Sequence, residues 1–201
     1  MRIKMCGLRK PDEIIYANEC LPDYIGFVFA ESRRKVSGEE AKKLGEQLDP
    51  LVKKVGVFVN EPLRSLISIS EEAGLDIIQL HGDESDADIR QLKKSCNCEI
   101  WKALRIGQIE DMDAAAFPHA DRLLVDSYVQ GLRGGSGKRI AMELLQKLDV
   151  TRLIIAGGIC RDNVKEILAL QPYGIDVSSA LETNGKKDKE KVRTFMKQLK
   201  G

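Results

Sequence analysis

No run in these 201 residues approaches the roughly 20 apolar residues that a membrane-spanning helix needs. The opening Met1-Arg-Ile-Lys-Met-Cys6 is too short and too polar for a targeting segment, so a reducing cytoplasm is the expected compartment. An excess of one charge is lacking too. The formal net charge is +1, which leaves no field to draw nucleic acid or a membrane surface. Cysteines are few and odd in number, five in all. One residue separates Cys96 from Cys98, and no second pair completes a zinc site, so neither a disulfide framework nor a metal site is expected. Low-complexity linkers are absent, and the length suits one domain over residues 1–201.

What is present is an alternation. Short β-rich runs end in small or polar residues, and each is followed by a charged amphipathic stretch. The runs are Ile3 to Cys6, Tyr24 to Phe29, Lys54 to Val59, Asp76 to Leu80, Glu99 to Leu104, Arg122 to Asp126, Arg152 to Ala156 and Gly174 to Ser178. Their starts are spaced by roughly 20 to 30 residues, about one βα unit each. Val55-Gly-Val-Phe-Val59 and Leu153-Ile-Ile-Ala156 are almost wholly apolar, as strands buried on both faces should be. Ser37 and Glu40 stand in capping-box spacing, and Asp162 is a candidate cap for the helix after the seventh strand. Eight such units predict an α/β fold, either an open doubly wound sheet or a closed (β/α)₈ TIM barrel. Two features favour closure. No Gly-x-Gly-x-x-Gly fingerprint follows the first strand, and candidate chemistry is spread over many strand ends.

In a barrel the site lies at the carboxyl ends of the strands. Alternation puts Lys4 and Cys6 on one side of the first strand, toward the interior, with Met5 outside. A cysteine beside cations gains thiolate character and suits a base, although free cysteine is as often a small buried apolar residue. Asp126 closes an apolar strand with no helix pattern starting at Ser127, so a general acid is one reading and an ion-pair partner another. The dozen residues after it, Ser127 to Lys138, carry Gly134-Gly135-Ser-Gly137, a run that permits close backbone approach to a ligand or simply a flexible link. Gly157-Gly158 follows the seventh strand, and Asp176, Ser178 and Ser179 end the eighth, where this fold recurrently binds phosphate. Arg33, Arg34 and Lys35 form a basic run after the second strand. There an arginine can fork onto a carboxylate, or the run can be plain solvated surface. His81 ends the fourth strand and can contact a ligand or satisfy the rim's polar groups. His119 is given no role.

The residues Lys4-x-Cys6-Gly7, Gly26-Phe-Val-Phe29, Ser32-Arg-Arg34-x-x-Ser37, Gly56-Val-Phe-Val-Asn60, Gln79-Leu-His-Gly82, Asp126 with Gly134-Gly-Ser-Gly137, Gly157-Gly158 and Asp176-Val-Ser-Ser179 stand in the order seen in phosphoribosylanthranilate isomerases. The chain resembles that family over nearly its whole length. The resemblance implies a (β/α)₈ barrel in tryptophan biosynthesis, with no cofactor and no metal. It implies a small-molecule substrate, phosphoribosylanthranilate, and a monomer or homodimer. It further implies Cys6 as general base, Asp126 as general acid, Arg34 as receiver of the anthranilate carboxylate, and Gly157, Gly158, Ser178 and Ser179 as phosphate ligands. Lys4, His81, Gly135 and Asp176 complete the expected binding set. A thiol lowered by Lys4 or Arg34 would suit the base. Two features depart from the family pattern. Ile140-Ala141-Met142 replaces a Phe-Asp-Trp-like segment, and Ala180 stands where glycine is usual, adding strain if its φ is positive. Another sugar-phosphate isomerase or epimerase barrel, or a barrel that binds phosphate ligands without turnover, remains the alternative. The histidine-pathway aminoaldose isomerase has an aspartate on its first strand, where this chain has Cys6.

Overall fold

The computed structural model describes residues 1–106, 114–127 and 142–200. Strands β1 (Arg2–Cys6), β2 (Tyr24–Val28), β3 (Lys53–Phe58), β4 (Ile77–Leu80), β5 (Glu99–Ile106), β6 (Arg122–Ser127), β7 (Leu153–Ile155) and β8 (Gly174–Val177) pair in parallel and in sequence order. β8 returns to β1 with Lys4 opposite Asp176, which closes the barrel. Every strand falls within two residues of its expected span. Helices α1 (Pro11–Cys20), α2 (Gly38–Gly45), α3 (Leu63–Ala73), α4 (Asp86–Ser95), α5 (Met142–Leu145) and α6 (Val164–Ala169) lie between strands. After β8 come a short ribbon, β9 (Glu182–Thr183) with β10 (Lys186–Lys187), and the closing helix α7 (Lys189–Lys200).

Two cores follow from the alternation of strand side chains. One lies inside the barrel: Tyr24, Val55, Ile77, Trp101, Leu124 and Ile154, each almost wholly buried. The other fills the space between barrel and helices and takes Met5, Phe27, Phe58 and Leu104. Met5 outside with Lys4 inside is the expected alternation. The inner core is apolar below and polar above, for Lys4, Gln79 and Asp176 meet over it. A barrel filled to that height leaves only its mouth open to a ligand.

Local chemistry explains the helix starts. Ser37 Oγ accepts the Glu40 N–H at 3.1 Å, and Glu40 Oε2 accepts the Ser37 N–H at 2.7 Å, the reciprocal box expected. Ser85 and Asp88 form a second box on α4 that the sequence reading did not single out. Asp162 is not the cap of α6. Asn163 holds that position, and its side chain instead ties the preceding turn, accepting from Cys160 N–H at 2.8 Å and donating to Gly158 O at 3.1 Å. Ala180 carries no left-handed strain: it sits in a 3₁₀ turn, Ser179–Leu181, and is not among the positive-φ residues.

The sole tryptophan, Trp101, is fully buried and meets Tyr24 edge-on at 5.0 Å between ring centroids. Trp101→Ala would open a void in the inner core. We expect it to lower unfolding free energy by about 3–5 kcal/mol, read by circular dichroism in a urea titration. A loss below about 1 kcal/mol would mean the inner core is not packed as described.

Candidate active site

Glycines make room for the site before any reactive group is counted. A Cβ on Gly26 would lie 2.7 Å from Cys6 Sγ and 3.1 Å from Lys4 Cε, so β2 must be bare where the Lys4 and Cys6 side chains enter. Gly7 has φ +83, and a Cβ there would lie 2.4 Å from Arg34 Cδ. The turn after β1 therefore needs glycine twice over, for its left-handed backbone and for the passage of Arg34.

One pocket at the barrel mouth gathers Cys6, Arg34, His81 and Asp126 with Gly157, Gly158, Asp176, Ser178 and Ser179. Gln79, which the motif contained but no role was given, also lines it. Lys4 lies just beneath, 1 % exposed. Gly135, with residues 128–138 of the glycine-bearing run, and Ile140-Ala141 fall outside the described residues. Of the basic run only Arg34 lines the pocket; Arg33 is turned to Glu182 from an exposed position, and Lys35 pairs with Glu31. His119 sits away from the mouth, bound to Asp86. Cys96 and Cys98 are free thiols, and no group able to hold a metal occurs among the described residues.

Lys4 Nζ donates to Gln79 Oε1 at 2.7 Å, to Asp176 Oδ2 at 2.8 Å and to Cys6 Sγ at 3.4 Å. Burial pulls the Lys4 pKa down, but the negative charge of Asp176 and the Cys6 sulfur outweigh it, so the pKa is raised and the ammonium persists. The Cys6 thiol behaves opposite to expectation. Burial and the Asp176 carboxylate push its pKa up, and Lys4 and Lys187 only partly counter them. Arg34 does not lower it decisively, because its guanidinium is already engaged by Glu182. Asp176, which also lines the pocket, has its Oδ1 buried with no hydrogen bond among the described residues.

Arg34 meets Glu182 side-on, Nε to Oε1 at 2.7 Å and Nη2 to Oε2 at 2.9 Å. This leaves Nη1 unengaged among the described residues. Lys187 Nζ reaches Glu182 Oε1 at 2.9 Å and Ser178 O at 3.1 Å. Ser178 Oγ donates to Cys6 O at 3.0 Å. The sequence reading missed Glu182 and Lys187. Their signal was the Asn184-Gly185 pair, both at positive φ, which closes the β9–β10 ribbon as a tight hairpin. On the far wall, Gly157 and Gly158 have φ of 82 and 64, so the turn after β7 is one that glycine favours. The backbone N–H groups of Gly158 and Ser179 donate to no acceptor among the described residues.

These features define a (β/α)₈-barrel enzyme whose mouth suits a small anionic ligand. The sequence matches the family described as N-(5′phosphoribosyl)anthranilate (PRA) isomerase over residues 3–198. The chain belongs to that family. It is 42% identical to the N-(5′-phosphoribosyl)anthranilate isomerase of Acetivibrio thermocellus over 207 residues, 98% of this chain and 95% of the relative. Among solved structures it resembles generated monomers of the dimeric phosphoribosylanthranilate isomerase of Thermotoga maritima, with TM-score 0.86, 31% identity, and 100% of this chain and 99% of that one covered. It also resembles a phosphoribosyl anthranilate isomerase in complex with reduced 1-(o-carboxyphenylamino)-1-deoxyribulose 5-phosphate, with TM-score 0.86, 29% identity, and 100% and 99% covered.

Glu182 has a consequence for stability. Burial pushes its carboxyl up, but Arg34 and Lys187 more than reverse this and hold it at about 2, down from 4.5. A depressed carboxyl contributes stability that is full above its unfolded value and is lost as pH falls through the folded one. Glu182→Gln should therefore cost about 3 kcal/mol at neutral pH, since it leaves the buried Lys187 and Arg34 without their carboxylate. The difference from wild type should shrink from about pH 4.5 toward pH 2 in urea midpoints taken across that range. A gap that widens on acidification would contradict the ion-pair account.

Proposed function

We propose that this chain is the phosphoribosylanthranilate isomerase of tryptophan biosynthesis, a cytoplasmic enzyme built as one barrel domain over residues 1–201. It converts N-(5′-phosphoribosyl)anthranilate, an aminoaldose, into the aminoketose 1-(2-carboxyphenylamino)-1-deoxyribulose 5-phosphate. The observation that carries this reading is the placement of a thiol on β1 and a carboxylate on β6 around one pocket that has anion-binding groups at its two ends. It works without a cofactor, as a monomer or a homodimer.

Each end of the substrate has a matching wall. Arg34 retains Nη1 for the anthranilate carboxylate, its other edge being held by Glu182. The phosphate is received at Gly157, Gly158, Ser178 and Ser179, where free N–H groups supply donors without a formal charge. Gly135 is proposed to add to the binding set. Asp176 Oδ1 accepts a ribose hydroxyl, which gives that buried oxygen its partner.

The chemistry divides between the two strands. Asp126 gives its proton to the ribose ring oxygen as the C1′–O bond breaks, and that bond's electron pair stays on the oxygen. The anthranilate nitrogen lone pair forms an iminium at C1′. The Cys6 thiolate then takes the C2′ proton, and the C–H electrons move to the iminium to give an enolamine. Protonation at C1′ and loss of the enol proton yield the ketone. General acid and general base each contribute typically 10²- to 10⁴-fold.

Turnover is measured by generating the unstable substrate in place from anthranilate and phosphoribosyl pyrophosphate and following its fluorescence. Cys6→Ser and Asp126→Asn should each lower kcat at least about 100-fold. An unchanged kcat would remove that residue from the mechanism. Because the Cys6 thiol is raised, kcat/KM should still climb with pH above the ordinary thiol range of about 8.5. A plateau reached below that range would show that the base is another group. Arg34→Lys keeps the charge but loses the fork. It should raise KM about tenfold or more with kcat little changed.

A further inference from the structure

We propose that Gln79 is a positioning residue for this reaction. It holds His81 in the tautomer that carries its proton on Nε2, so that an N–H and not a lone pair faces Asp126. The catalytic half of this inference rests on the reading above that Asp126 is the acid.

Obligatory donors fix this tautomer one after another. Lys4 Nζ is an ammonium with no lone pair, and it lies 2.7 Å from Gln79. The atom it meets must therefore be the amide oxygen Oε1. That fixes the amide plane and turns Gln79 Nε2 toward His81 Nδ1 at 3.1 Å. An amide nitrogen can only donate, so Nδ1 must offer its lone pair. A neutral imidazole has one N–H, and here it is left on Nε2. Gln79 is 1 % exposed, and its two contacts leave the amide no freedom to turn over.

His81 Nε2 is itself buried and makes no hydrogen bond within the described residues. It stands 3.3 Å from Asp126 Oδ2, near enough to close on it with a small rotation. The need for that contact arises during the reaction. When Asp126 has passed its proton to the ring oxygen, it is left as a carboxylate in a buried site, and an N–H facing it stabilises that charge. In the other tautomer the Nε2 lone pair would repel the carboxylate. Before the reaction it would also accept the acid's own proton, which opposes its transfer to substrate. A buried ammonium on β1 thus sets the polarity of a contact to β6 through Gln79 of β4 and His81 just after it.

The test starts on substrate-free protein labelled with ¹⁵N at histidine. The chain has two histidines, so a His119→Gln sample assigns the spectrum. At a pH where the ring is neutral, set by titrating the same resonances, wild-type His81 should show a protonated Nε2 and a bare Nδ1. Gln79→Glu keeps the volume and the contact to Lys4 but presents an acceptor to His81, and should move the proton to Nδ1 or charge the ring. Gln79→Leu presents neither and should leave a mixture, which covers the case in which Glu is not tolerated. A bare Nε2 in wild type, or a tautomer unmoved by both substitutions, overturns the inference. In the assay, both variants should lose roughly 10- to 100-fold in kcat with KM within about threefold, a smaller loss than the ~10⁴ of a wrong tautomer in a catalytic triad. A normal kcat in a variant whose tautomer has switched also overturns it. Absence of turnover in wild type would overturn the functional reading and the catalytic half of the inference. The tautomer assignment would stand or fall on its own spectrum.

Discussion

The mouth of the barrel is organised around one buried ammonium. Lys4 Nζ has three protons and three acceptors, on β1, β4 and β8, and is 1 % exposed. An ammonium taken out of water is tolerated only when its donors are filled, and here every one is. The consequences run outward from it. Asp176 is turned so that one oxygen is committed and the other makes no hydrogen bond among the described residues. The orientation of the Gln79 amide is decided, and with it the proton on His81. The sulfur of Cys6 is held beside a positive charge. Gly26 is bare because the Lys4 and Cys6 side chains occupy the space a methyl would need.

A second charged centre stands at the side of the mouth and depends on a different part of the chain. Glu182 takes Arg34 on one oxygen pair and Lys187 on the same carboxylate, all three nearly hidden from solvent. These two buried cations, with the exposed Arg33 beside them, leave positive charge over on one carboxylate, and the edge of Arg34 unengaged among the described residues directs it at the pocket. Lys187 also reaches the Ser178 carbonyl. The ribbon that follows β8 thus connects the arginine wall to the serine wall. The arginine and serine sides of the mouth are joined by one short hairpin.

The thiol illustrates how two neighbours of opposite sign compete. Lys4 alone would make Cys6 a stronger acid. Burial pushes the other way, and so does Asp176, placed opposite Lys4 by strand register. A hydroxyl donating to Asp176 would weaken that opposition and favour the thiolate. In the free protein burial and Asp176 keep the Cys6 sulfur largely as its thiol.

Much of this was legible along the chain. Eight strands, the inward direction of Lys4 and Cys6, the capping box at Ser37 and the glycine turn at Gly157-Gly158 each follow from short-range rules of period, cap and φ, which neighbouring residues suffice to satisfy. Cys6, Arg34, His81 and Asp126 could be named because strand ends in a barrel converge on one mouth. What the sequence could not settle was partnership across long separations. The pairing of Arg34 with Glu182 spans 148 residues, and that of Lys4 with Asp176 spans 172. Burial and Asp176 set the direction of the Cys6 shift, which local reasoning had reversed, and the contact of Lys4 with Gln79, 75 residues away, gave Gln79 a role that its motif did not announce. Asp162 yielded its capping position to Asn163, whose side chain was needed to brace the turn behind it, and Ala180 escaped strain because its turn is right-handed. The sequence by itself determined where strands and helices form and which side chains face inward, since those depend on periodicity and local hydrogen bonding. Only the closed barrel decided which charges meet, because the energy of a buried charge is set by neighbours in space, however far apart they lie in the chain.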